Sequence, residues 1–241
     1  MSSATEWRTF IKTLLGVALI GAPVLLLISD LMTSVVYEGD DQARYLASIA
    51  DNEGLYYSGN VIGALGALLL VPACMAIIHL VRVRYPRYAV GAGGLALLGV
   101  IGMAGMWITF SLVDYILAQR PERAIMAAVL TDGEEGAAMA PLFFLWVAGP
   151  LGLVLLMAGL LRARSVPRWM PALAVLGFVL LFVADSGVMS ILVSVVLSVA
   201  LGAIGLTVLR SPLEAWDEGH LAGPEPPVAP PVVPRTGVAT P

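Results

Sequence analysis

Long apolar runs alternate with short polar breaks along this chain. Six of the runs are long enough to consider as elements: residues 10–36, 57–81, 88–117, 140–161, 169–184 and 188–209. A bilayer core is roughly 30 Å thick, and about 20 apolar residues cross it as a helix. Helices are the expected form, because a backbone amide in lipid must find its partner within its own segment. The last two runs read almost as one. From Arg168 to Arg210 the chain would make a helix of roughly 60 Å, about twice the membrane. Asp185-Ser186-Gly187 supplies a turn at the middle, so two passes are expected. The pattern predicts an all-α, polytopic membrane protein, with a bundle of six transmembrane helices over residues 1–210.

The polar breaks alternate in sign. Arg82, Arg84 and Arg87 follow the second run, and Arg162, Arg164 and Arg168 follow the fourth, with no acid in either break. Arg8 and Lys12 lie at the start of the first run, and Arg210 ends the sixth. The other breaks are acidic, with Glu38, Asp40, Asp41, Asp51 and Glu53 in one and Glu122, Asp132, Glu134 and Glu135 in the other. Basic loops stay on the cytoplasmic side, so both termini are expected in the cytoplasm and the protein in the plasma membrane. Each acidic break also holds a short amphipathic stretch, Asp41–Ala50 and Pro121–Leu130, expected to lie as a helix at the outer surface. Tyr37, Tyr56, Tyr57 and Tyr115 gather at the outer boundary; Trp7, Tyr85, Tyr88 and Trp169 gather at the inner one. Aromatic rings suit the headgroup zone and act there as anchors.

Composition agrees: 59% of residues are hydrophobic and 12% charged, and the mean hydropathy is +0.91. After Arg210 the chain turns polar and acidic, then proline-rich through Pro224-Glu225-Pro226-Pro227 and Pro230-Pro231. Residues 211–241 cannot build a core and are expected to form a disordered cytoplasmic tail with polyproline II character. The single cysteine, Cys74, allows no internal disulfide. The basic residues are nearly all arginine, which together with the many Ala and Gly suggests a GC-rich bacterial genome. The N-terminal basic residues and apolar run are read as an uncleaved first span, because the run is too long for a cleaved signal.

Small residues recur at helical spacing: Gly59, Gly63 and Ala67 in the second span, Gly99, Gly102 and Gly105 in the third, and Ser190, Ser194, Ser198 and Gly202 in the sixth. Stripes of this kind let helices approach closely in lipid. The serines could alternatively line a polar pathway. Candidate chemistry is limited to acids within or against apolar sequence: Asp30, Asp114 and Asp185, with Asn60 as a fourth polar member. Each acid falls near the outer end of an outward-going helix and has a hydroxyl neighbour. If they converge, they could bind a cation or exchange a proton; otherwise they are caps and interface residues. His79, a turn before Arg82, suits the end of a helix, where dipole and snorkelling favour it.

Enzyme chemistry finds little support. A membrane haem usually takes two histidines, and the second histidine, His220, is in the tail. No His or Cys spacing suits zinc, and there is no phosphate loop or basic nucleic-acid patch. Glu134-Glu135 lacks the arginine and histidines of membrane-embedded glutamate proteases. No cofactor, metal or nucleic-acid partner is expected. Partners are the lipid bilayer and either a second copy or another membrane protein. Asp51-Asn52-Glu53-Gly54 leading into a glycine-rich span that ends at His79–Arg84 resembles uncharacterised six-span integral membrane proteins of actinobacteria. That resemblance implies a six-helix plasma-membrane bundle and supplies no activity. Three readings follow: a small transporter or accessory subunit with an outward-facing acidic cation or proton site; a structural or partner-binding membrane protein; and a membrane enzyme acting on lipid.

Overall fold

The computed structural model describes residues 3–36, 41–134, 140–182 and 188–221. Among these residues the fold is entirely helical. The long helices are α1 (Ser3–Thr33), α3 (Glu53–Arg82), α4 (Pro86–Ala118), α6 (Ala140–Ala163) and α8 (Val188–Arg210). These 5 are long and apolar enough to cross a membrane. Between α6 and α8 lies α7 (Trp169–Leu180), apolar throughout but only 12 residues long, which is about 18 Å. Short helices α2 (Gln42–Asp51), α5 (Arg123–Glu134) and α9 (Leu213–Asp217) complete the set.

The six apolar helices close into a ring in chain order. Helix α1 packs on α3, α3 on α4, α4 on α6, α6 on α7, α7 on α8, and α8 returns to α1. Neighbours whose contacts define a direction run antiparallel, as short connections between lipid-spanning helices require. On α7 and α8, Met170 meets Thr207 while Gly177 lies against Leu197.

Small residues set how close the helices come. A Cβ at Gly59 would meet Thr33 and Met32 of α1, and one at Gly63 would sit 2.5 Å from the Ser29 hydroxyl. Gly205 of α8 approaches the Gly16 carbonyl, and Ser198 donates to the Pro23 carbonyl at 3.0 Å. The tightest crossing joins α4 to α6, where a Cβ at Gly99 would lie 1.9 Å from the Gly149 nitrogen. The three-residue glycine spacing of α4 is not a uniform stripe, however. Gly102 faces Leu145 of α6, while a Cβ at Gly105 would meet nothing within 4 Å. Gly202 is likewise open around its Cβ position, and Ala67 is buried.

The two ends of the ring differ. At the acidic end, α2 and α5 pack on each other and on α4, burying Leu46, Ile49, Ala127 and Leu130 against Tyr56 and Ala118. Asp41 caps α2 by accepting from the Arg44 amide at 3.0 Å. The short amphipathic helices expected in the two acidic breaks are therefore present, and their apolar sides meet protein. At the arginine-bearing end the structure departs from the expected tail. Residues 211–221 fold back onto the bundle, and only residues 222–241 lie outside the described residues. Trp216 of α9 is buried and stacks on His79, with ring centroids 4.3 Å apart. Asp217 pairs with Arg8, Lys12 donates to the Ser211 carbonyl, and the Leu221 amide donates to the Ser165 carbonyl at 2.8 Å. Trp216, with Leu213 and Leu221 packed beside it, supplies apolar surface that docks this stretch.

Candidate functional site

The interior of the ring is not filled. A cavity of about 140 Å³ lies within it, lined from all six apolar helices and from Leu181 at the end of α7. Two of its lining residues, Pro23 of α1 and Pro150 of α6, are prolines inside helices. A mid-helix proline gives up one backbone bond and crowds the preceding turn, which loosens packing at this level. Most of the wall is apolar, including Leu70, Met103, Leu153 and Phe178. Asp30 is the one charged side chain among the described lining residues, and Ser190 and Ser194 add hydroxyls. Asp30 is half-buried and its Oδ2 accepts from Ser194 Oγ across the α1–α8 interface. The serine spacing on α8 thus serves both purposes considered from sequence. Ser198 packs against α1, while Ser190 and Ser194 border the cavity.

Trp107 forms another part of the wall. Its indole N–H donates to Asn60 Oδ1 at 3.0 Å, and Ser111 Oγ donates to the same oxygen at 2.7 Å. Asn60 returns its own N–H to the Tyr56 carbonyl at 2.9 Å. The polar edge of the indole is therefore satisfied by Asn60. Sequence reasoning passed over Trp107. Its signal was a tryptophan away from both interfacial belts, where the N–H must find a protein partner. Ser29, next to Asp30, is wholly buried against Gly63, and its Oγ is the buried side-chain polar atom with no partner among the described residues.

Asp114 has different company. Its Oδ2 accepts from Tyr45 of α2 at 3.1 Å and from Tyr56 of α3 at 3.2 Å, and the two phenol oxygens are 3.3 Å apart. Burial, with the Asp114 carboxylate and the Tyr56 phenol beside it, holds the Tyr45 hydroxyl far above the usual phenol range. These bonds fasten the short helix α2 to α3 and α4. Asp30 and Asp114 thus take separate partners. Asp185, the third acid, lies outside the described residues. Asn60 belongs to the same α3–α4 face as Asp114 and touches the cavity only through Trp107.

A second, lateral depression of about 180 Å³ runs between α3 and α4, bordered by Tyr57, Asn60, Ser111 and Tyr115. Its polar pair is unsuited to catalysis. An amide oxygen cannot take the serine proton as a base, so Ser111 is not activated as a nucleophile. Among the described residues no group of three or more His, Cys, Asp or Glu could hold a metal ion.

Residues 14–209 match the family described as a domain of unknown function, DUF4386, and the chain belongs to that family. No curated protein and no solved structure matches it.

Proposed function

We propose that this protein is a six-pass plasma-membrane protein with both termini in the cytoplasm, and that it works as a small transporter or accessory subunit through a cation or proton site on Asp30. The single observation carrying this reading is a carboxylate on the wall of a cavity inside a closed helix ring. An ionised carboxylate within a membrane helix carries a cost that is greatest at the centre and smaller toward the end, where Asp30 lies. Proteins place such groups where they face an interior or a water-filled path. Asp30 lies in the last turn of α1, at the acidic end of the ring, which the distribution of arginines makes the outer end. Asp114 belongs to the fastening of the outer helices rather than to this site.

The topology rests on two supports. Arg84 of one basic stretch donates to the Ala163 carbonyl beside the other, which puts both at one end, the cytoplasmic end by the distribution of arginines. The antiparallel pairing of α7 with α8 supports α7 as the fifth pass. The partner-binding reading is weaker, because Gly59, Gly63, Ser194 and Ser198 are used inside the monomer.

The test is thermal stability of the purified chain across pH and a panel of inorganic cations, for wild type and Asp30→Asn. Binding to the folded state stabilises it, by about 2.7 kcal/mol at a hundredfold excess over Kd. A pH- or cation-dependent rise present in wild type and lost in Asp30→Asn is the expected result. Identical responses in the two proteins would remove Asp30 from any site.

A further inference from the structure

Resting on that reading, we infer that the Asp30 cavity takes a small organic ammonium with a single apolar ring, in preference to an inorganic cation. Oxygen supply argues first. Calcium takes six to eight oxygen ligands and magnesium a full octahedron. Among the described residues the wall offers the Asp30 carboxylate and the Ser190 and Ser194 hydroxyls, and is otherwise hydrocarbon, thioether and aromatic. An ammonium needs far less: a carboxylate for its charge and an acceptor or two for its N–H groups. Everything beyond the nitrogen must then be apolar, as the wall is.

Size argues second. An apolar cavity of about 150 Å³ is large enough for a benzene ring, and the cavity here is about 140 Å³. One ring with a short arm carrying nitrogen matches that volume. Two aromatic side chains, Trp107 and Phe178, border the space from α4 and α7. Because Asn60 satisfies the indole N–H, Trp107 meets a ligand with its ring, a surface that attracts cations as well as apolar groups. Ser194 already donates to Asp30 Oδ2. This bond holds the carboxylate in place at the wall of the cavity.

The experiment uses the full chain in lipid nanodiscs and measures binding of 2-phenylethylamine by thermal shift at neutral pH. 2-Phenylethanol, sodium and calcium serve as comparison probes. Wild type is set beside Asp30→Asn and Ser190→Phe, the latter filling the cavity while leaving the Asp30–Ser194 bond. A bond between charged groups predicts that Asp30→Asn weakens the amine about tenfold or more. Ser190→Phe, which fills the space beside the carboxylate, should weaken the amine. The alcohol should bind more weakly than the amine to wild type and equally to Asp30→Asn. An Asp30-dependent response to pH, sodium or calcium without one to the amine would overturn the ligand class and leave the cation site standing. No Asp30-dependent response to any probe would overturn both. Should Asp30→Asn fail to fold, undiminished amine binding by Ser190→Phe would by itself overturn the inference.

Discussion

Replacing Gly99 by alanine tests how the ring is held together. A Cβ at this position would lie 1.9 Å from the Gly149 nitrogen, 2.3 Å from its Cα and 2.6 Å from the Ala148 carbonyl carbon. All three are backbone atoms, so no rotamer change relieves the overlap. Ordinary contact begins near 3.4 Å, and α4 and α6 must separate by about 1.5 Å to reach it. The same movement opens the next contact, where Gly152 lies against Ala96. A gap of about 0.5–1 Å already forfeits a quarter to a half of each dispersion contact. Lipid is as apolar as the helix surface, so no hydrophobic gain compensates.

Overpacking of this kind costs about 1–3 kcal/mol and occasionally more. Gly94 and Gly105, on the same helix, provide the control, since a Cβ there meets nothing within 4 Å. Gly94→Ala and Gly105→Ala should instead gain up to about 1 kcal/mol of helix propensity. Gly99→Ala gains the same propensity, so it falls about 1–3 kcal/mol below the controls, or roughly 2–12 °C in Tm for a chain of this length. Tryptophan-fluorescence melting of the detergent-purified proteins, with size exclusion to check the fold, reads this directly. A Gly99→Ala Tm at or above that of Gly94→Ala would refute the backbone contact between α4 and α6.

Tyr45 should not ionise near the ordinary phenol value of about 10 while the protein is folded. A phenol whose folded pKa is raised adds no pH dependence below its unfolded pKa. Its stabilisation is lost as pH rises above that value, so stability should decline above about pH 10, and less so in Tyr45→Phe. An ultraviolet phenolate titration in which Tyr45→Phe loses an ordinary titrating phenol would contradict the Asp114 bond. Trp216→Ala should release α9 from His79 without unfolding the bundle, since Trp216 is the buried residue of this short helix at the ring's end. Limited trypsin digestion should then cut after Arg210 at least tenfold faster, as expected when about 3 kcal/mol of buried tryptophan is lost; unchanged cleavage would mean that residues 211–221 are held by other contacts.

The apolar runs and alternating arginines were enough to read a helical, multi-pass membrane protein, because lipid leaves a spanning backbone almost no alternative to helix. Periodicity also marked Leu46 and Ile49 as one side of an outer helix, and the small-residue spacing marked Gly59, Gly63 and Ser198 as contact points. Local pattern could not say which acids share surroundings. Asp30 and Asp114 look alike in sequence, each near a helix end and beside a hydroxyl. The ring turns the first toward a cavity with Ser194, and the second toward two phenols, one of them on α2. The same limit hid Trp107 and Trp216, whose roles depend on Asn60 and His79, far away along the chain. A helix's period states which residues share a face, and lipid states that the face must be apolar. Which face meets which neighbour, and where prolines and small residues leave a space between them, is decided only when all six apolar helices close into one ring.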